Sequence, residues 1–175
     1  MADVDVSSDP GALALELFER HRAALRAYLR LATGRSDIAE DLAQDVYLRV
    51  VRGEAAYQPR GKERAWLFSI ARHLVVDHFR RRSREVPLRD AARPAAQTHG
   101  TSLREALVRL PDREREAFLL CEVGGLSYAE IATATASTIP AVRSAIYRAR
   151  MQLRAEVLAP PPMLDQPTRS ISDDD

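Results

Sequence analysis

Two groups of basic side chains define the chemistry open to this sequence. The first lies in Val142-Arg143-Ser144-Ala145-Ile146-Tyr147-Arg148. Arg143, Ser144, Tyr147 and Arg148 fall on one side of a helix whose other side is Ile139, Val142, Ile146, Ala149 and Leu153. An arginine on such a face can pair bidentately with guanine, and serine or tyrosine can contact bases or phosphates. The second group is Arg80-Arg81-Arg82-Ser83-Arg84, the end of a stretch from Lys62 in which Glu63 and Asp77 are the only carboxylates. Such a cluster neutralises phosphates and releases counterions. The plain alternative is a solvated helix end whose arginines complement the C-terminal dipole.

A third group has the opposite sign. Asp41, Gln44, Asp45 and Leu48 share a helical face at i, i+3, i+4 and i+7. That face repels DNA. It is either solvated or a docking surface for a basic protein partner.

Enzyme chemistry finds no support. The four histidines, His21, His73, His78 and His99, form no i, i+4 ligand pair, and Cys121 is the single cysteine. There is no cluster of carboxylates with histidine and no glycine-rich phosphate loop. No catalytic residue, metal or cofactor is expected. No apolar run approaches the roughly 18–20 residues that span a bilayer, and the opening MADVDVSSDP is acidic and polar. A cytoplasmic protein without membrane insertion is the expectation. A net charge of +1 hides the segregation of charge along the chain.

The elements that must carry these groups are helices. Alanine, leucine, arginine and glutamate dominate, and β-branched alternation is nearly absent. Three long helices are predicted over about 11–33, 36–52 and 62–84. Their apolar stripes are Leu17, Leu25, Tyr28 and Leu29; Ile38, Leu42, Val46 and Val50; and Trp66, Leu67, Ile70, Leu74 and Val75. Ser36 is placed to cap the second, with Asp37, Glu40 and Asp41 suiting its positive end. Pro87 to Gly100 reads as a linker. Four shorter helices follow, one of them over about 112–123 and ended by Gly124-Gly125. The stretch from Ala159, with three consecutive prolines and a terminal Asp173-Asp174-Asp175, reads as a loose tail.

Ser127-Tyr128-Ala129-Glu130 is a capping box, and Ser137-Thr138 with Pro140 is a second helix start. Two short helices and a tight turn, with basic groups outward on the second, form a helix-turn-helix whose second helix enters the major groove. The alternative is an αα-hairpin with a solvated basic face. The turn, Thr135-Ala136-Ser137, lacks the glycine that a left-handed residue usually requires.

These segments together resemble a known family. Asp37-Ile38-Ala39-Glu40-Asp41-Leu42-Ala43-Gln44-Asp45-Val46-Tyr47-Leu48-Arg49-Val50 is similar to the core-polymerase-binding segment of region 2 in sigma factors. Ala65-Trp66-Leu67-Phe68-Ser69-Ile70-Ala71-Arg72, followed by Asp77 and Arg80-Arg81-Arg82, resembles the adjoining −10 melting and recognition segment. Leu110-Pro111-Asp112-Arg113-Glu114-Arg115-Glu116-Ala117-Phe118, Gly125-Leu126-Ser127-Tyr128-Ala129-Glu130-Ile131-Ala132 and Val142-Arg143-Ser144 with Tyr147-Arg148-Ala149-Arg150 resemble region 4. Order and spacing match the extracytoplasmic-function (ECF) type. Two departures stand out: His73 where the family usually has asparagine, and Ala136 to Val142 where it usually reads Gly-Ile-Ser-Val-Gly-Thr-Val.

The resemblance implies an all-α protein of two small domains, region 2 over 11–85 and region 4 over 102–157, with a linker at 86–101 and a tail at 158–175. It implies that Asp41, Gln44, Asp45 and Leu48 dock on the β′ clamp helices of core RNA polymerase. Arg72, His73, Arg80 and Arg81 would meet the −10 element, and the loop 54–63 would hold a flipped base. Arg143, Ser144, Tyr147 and Arg148 would hold the −35 element, with region 4 also touching the β flap. Trp66, at helical spacing with Ile70, is read as core and not as a base-stacking wedge. An anti-sigma factor is an expected partner, with the acidic tail a weaker candidate inhibitor. The rival readings are an operator-binding regulator that works without polymerase, a nuclease, and an inactive scaffold.

Overall fold

The structure, a computed structural model, describes residues 10–52, 62–85 and 103–158. The predicted flipped-base loop, linker and tail lie outside these residues, apart from Lys62, Glu63 and the final helical residue. Seven helices are described: α1 Pro10–Thr33, α2 Ser36–Val51, α3 Glu63–Glu85, α4 Leu103–Arg109, α5 Asp112–Glu122, α6 Tyr128–Ala134 and α7 Ile139–Leu158. The last has 20 residues, so it is a long helix and not one of four short ones.

In α1–α3 the predicted stripes meet. Leu25, Tyr28 and Leu29 of α1, Leu42, Val46 and Val50 of α2, and Leu67, Ile70 and Leu74 of α3 are all buried. Gly34 reverses the chain between α1 and α2 at φ +70°, a backbone state open to glycine at little cost. The N-terminus of α2 differs from expectation. Arg35, not Ser36, occupies the cap position, and its side chain makes no capping bond. The carboxylate of Asp37 takes over from inside the first turn. It accepts from the Ile38 amide and, in a bidentate pair, from Arg35. The Arg35 hydrogen bond first, and the Ile38 amide second, hold its pKa down at about 2.

The C-terminal helices pack around α7. Leu119 and Leu120 of α5, Ile131 of α6, and Val142, Ile146, Ala149 and Leu153 of α7 are buried. Ile139 is the exception to the predicted stripe. At the first position of α7 it is 43% exposed, so the buried face begins one turn later, at Val142.

The helix-turn-helix is closed at both ends by local bonds. The Ser127 hydroxyl accepts from the Glu130 amide at 3.3 Å, and the Glu130 carboxylate accepts from the Ser127 amide at 2.8 Å. The α6 C-terminus makes a Schellman closure: the Ser137 amide donates to the Ala132 carbonyl at 2.9 Å. The residue forced into the left-handed region there is Ala136, at φ 49°. Thr138 then caps α7, its hydroxyl accepting from the Ala141 amide at 3.3 Å.

The two groups of helices share one core. Tyr28 of α1 and Phe68 of α3 meet edge to face with centroids 5.5 Å apart. A Cβ on Gly124 would stand 3.1 Å from a Phe68 ring carbon and 2.5 Å from the Leu120 carbonyl oxygen. Gly125, at φ +65°, lies directly under the Arg64 guanidinium of α3. The glycine pair that ends α5 is therefore also the corner on which α3 rests.

Candidate nucleic-acid interface

On α7, Arg143, Ser144, Tyr147 and Arg148 all face outward, as the helical spacing requires. Tyr147 is 64% exposed, the most open aromatic among the described residues named as exposed. The two arginines are not equivalent. Arg148 Nε donates to Glu114 Oε1 of α5 at 2.6 Å, which fixes the direction of its guanidinium. No ion pair to Arg143 exists among the described residues, so Arg143 is the freer of the two. Arg150 is likewise held to α5, through Glu122.

The α3 residues divide more sharply. Arg72 points toward the C-terminal helices, where its buried Nε lies 2.8 Å from Glu116 Oε1 of α5, an ion pair by distance that lacks hydrogen-bond alignment. Both side chains are largely covered, at 18% and 27% exposure. His73 is exposed, and its Nδ1–H donates to the Ser69 carbonyl at 2.7 Å. That bond leaves Nε2 as the outward group, an acceptor when the ring is neutral. Arg80 and Arg81 are exposed one and a half turns before the helix ends. Trp66 is half-buried against the core, in keeping with the packing reading.

Beside these residues, α1, α3 and α5 enclose a cleft of about 780 Å³ with Tyr28, Val75, Phe79 and Leu119 in its wall and Arg80, Arg84 and Arg113 among its polar groups. Burial, with Glu116 adding, raises the Tyr28 phenol above its ordinary pKa, while Arg72 opposes the shift. A second cleft, about 550 Å³, lies between Arg72 of α3 and Ser144 and Arg148 of α7.

On α2, Asp41, Gln44, Asp45 and Leu48 stand together on the exposed face. Tyr47, Leu48 and Val51 are 37%, 41% and 47% exposed, so the acidic face carries an apolar strip. Val51 was legible as the i+3 neighbour of Leu48 and was missed. Glu114 and Glu116, which orient arginines of two different helices, were also missed, because nothing local marks a carboxylate whose partner lies far along the chain.

Among the described residues no group of three or more His, Cys, Asp or Glu is placed to hold a metal ion. No described helix is long and apolar enough to cross a membrane. That finding is compatible with the cytoplasmic expectation and fixes no compartment.

Comparison with known proteins agrees with the geometry. The family described as Sigma-70 region 2 matches residues 17–85, and Sigma-70, region 4 matches residues 101–153. The ECF RNA polymerase sigma factor EcfG of Rhodopseudomonas palustris is 33% identical over 75% of this chain and 78% of its own length. The sigma factor RpoE of Bartonella quintana, solved with the anti-sigma factor NepR, aligns with a TM-score of 0.68 at 26% identity, over 81% of this chain and 94% of that one. CnrH, solved with the cytosolic domain of CnrY, aligns at 0.63 and 28% identity, over 86% of this chain and 90% of that one. The fold and the two matching family models define a sigma-70 protein with regions 2 and 4. The chain belongs to the ECF branch of that family: it is a sigma factor that directs RNA polymerase to promoters and is not itself an enzyme.

Proposed function

We propose that the three outward faces divide the work of promoter recognition. The α2 face, with Asp41, Gln44, Asp45 and Leu48, docks on the β′ clamp helices. The carboxylates steer a basic partner, and the strip of Leu48 and Val51 supplies the apolar area that charge alone does not. The exposed face of α3, with His73 at mid-helix and Arg80 and Arg81 near the end, meets the −10 element, where the arginines neutralise phosphates. Arg72 joins them once it is free of Glu116. Arg143, Ser144, Tyr147 and Arg148 on α7 enter the major groove of the −35 element, and region 4 also touches the β flap. Residues 11–85 and 102–157 act as the two domains, joined by 86–101, with 158–175 a tail.

One observation carries this reading: a protein-docking type of face on α2 and a DNA-reading type of face on α7 point outward from one helical body. An operator-binding regulator needs only the second. Reversing Asp41 and Asp45 to arginine tests it. Core polymerase binding should be abolished while the helical circular dichroism signal is retained. Unchanged core binding would remove the docking assignment. Run-off transcription with core polymerase on genomic DNA, with and without the protein, tests the whole function.

The similar sigma factor RpoE is solved with the anti-sigma factor NepR, and CnrH with the cytosolic domain of CnrY. An anti-sigma partner fits this chain as well. The cleft of about 780 Å³ joins both units and combines apolar walls with Arg72, Arg80, Arg84, Arg113 and Arg115 against Asp112 and Glu116, a net basic surface suited to an acidic amphipathic segment. Co-purification under non-inducing conditions that yields polymerase subunits alone counts against such a partner.

A further inference from the structure

The contact between α1–α3 and α4–α7 joins an apolar seat to a charged pair. The seat is Tyr28 and Phe68, 2% and 0% exposed, against Gly124 and Leu126. The pair is Arg72 with Glu116. Two residues earlier on α5, Glu114 holds Arg148 of α7. The two helices proposed to read DNA thus hang on neighbouring carboxylates of a single helix, and Arg72 and Arg148 line one cleft.

This closeness is incompatible with reading both promoter elements at once. By their names the −10 and −35 elements lie about 25 base pairs apart, roughly 85 Å at 3.4 Å per base pair. Helices that share one cleft cannot lie on both. The Arg72 contact must therefore be given up before the promoter is fully engaged.

We propose that Arg72 is a two-position latch: paired with Glu116 it holds the free protein closed, and in the promoter complex it exchanges that carboxylate for a nucleic-acid phosphate. The exchange rests on α3 being the DNA-facing helix assigned above. Its chemistry is symmetrical. A guanidinium presents the same fork of N–H donors to a carboxylate or to a phosphate, so Arg72 need never be left without an anion. Glu116, released, regains hydration. In the closed form the pair is mostly shielded from solvent and lies beside the buried Tyr28 phenol, so salt screens it less than it screens surface pairs. The latch also hides one DNA-binding arginine until polymerase, docked on α2, brings phosphates to α3.

Distance measurements on the full chain test this. In a Cys121→Ser background, spin labels at Ser36→Cys on α2 and Ala155→Cys on α7, both exposed positions, report the separation of the two units. The otherwise unaltered protein should give one short, narrow distribution. Glu116→Arg, which sets two like charges face to face, should raise the open fraction about tenfold or more. The exchanged pair, Arg72→Glu with Glu116→Arg, should restore the short distance, an outcome that misfolding cannot imitate. Glu116→Gln should open the protein to a smaller extent. A broad, long distribution without these changes, or a short one that Glu116→Arg leaves in place, overturns the latch. The DNA half is read separately, as affinity of the polymerase-bound protein for a −10 fork. Arg72→Ala should weaken it. Undiminished affinity there overturns the exchange through the reading of α3, whatever the distances show.

Discussion

On α3 the arginines differ by their position along the helix, whereas on α7 they differ by the strength of their tethers. Arg64, though exposed, covers Gly125, Arg72 pairs with Glu116, and beyond Asp77 Arg80 and Arg81 are exposed. Through its first two-thirds α3 thus commits one side to packing while His73 and Asp77 stay exposed, and at its end the arginines are exposed as well. On α7 every arginine from Arg143 to Arg150 is exposed, but Arg148 and Arg150 are each held by a carboxylate of α5. A helix that must join two units commits its middle to them. A helix that belongs to one unit can keep a whole face free and borrow carboxylates from its neighbour to aim it.

The largest test of that contrast is Phe68→Ala. The ring is fully buried, against Tyr28 on one side and the Gly124 corner on another. Its loss should cost about 3–5 kcal/mol in urea unfolding, since a large cavity opens where two units meet. A loss below about 1 kcal/mol would place the ring outside the packed centre and remove α3 from the junction of the two units.

Next is the tether on α7. Arg143→Ala should cost about 1–3 kcal/mol in binding a −35 duplex and relax preference at one base pair, as expected for a lost bidentate contact. Arg148→Ala should cost less preference and more general affinity, because a guanidinium already bonded to Glu114 is set to clamp phosphate. Binding across a panel of single-base variants separates the two. Equal patterns from both substitutions would mean that Glu114 does not aim Arg148.

At the end of α3 the expected effect is one of salt dependence. Arg80→Ala with Arg81→Ala should weaken binding of the polymerase-bound protein to −10 DNA alike for all sequences. It should lower the slope of log affinity against log salt by about 1.8 for duplex contacts, or about 1.4 if the strand is single. A sequence-dependent loss with an unchanged slope would move these residues from phosphates to base edges.

Local signals were legible where the physics is local. The Ser127–Glu130 capping box, the Thr138 start of α7 and the Gly124-Gly125 stop each involve residues within a few positions, and each stands where the sequence puts it. The outward placement of Asp41, Gln44, Asp45, Arg143, Ser144 and Tyr147 follows from helical periodicity alone. Arg72 was different. Its place in a basic stretch suggested solvent and phosphate, but its partner Glu116 lies on another unit, beyond the reach of any periodic pattern. Ser36 failed as a cap because Asp37, one residue on, offers a charged acceptor and an arginine to hold it. Ile139 kept the right spacing and still stayed exposed, since the first turn of a helix can overhang the core it leads into.

The smallest effect concerns the turn that aims α7. Ala136 sits at φ 49°, where its Cβ crowds the following carbonyl oxygen. The Schellman closure requires that conformation, because the Ser137 amide must reach the Ala132 carbonyl. Glycine removes the crowding but raises the backbone entropy of the unfolded chain, two effects of opposite sign on stability. For a residue already held in the left-handed region the first prevails, so Ala136→Gly should stabilise the protein by up to about 1 kcal/mol. Urea unfolding should show the midpoint rise with the slope unchanged. No comparable glycine gain exists at the α3 corner, where Gly124 and Gly125 already occupy the constrained positions and any side chain would strike Leu120 or Arg64. A fall in stability for Ala136→Gly would mean that the alanine methyl contributes packing that outweighs its strain, and that the turn of α7 is held by contacts in the same way as the corner under α3.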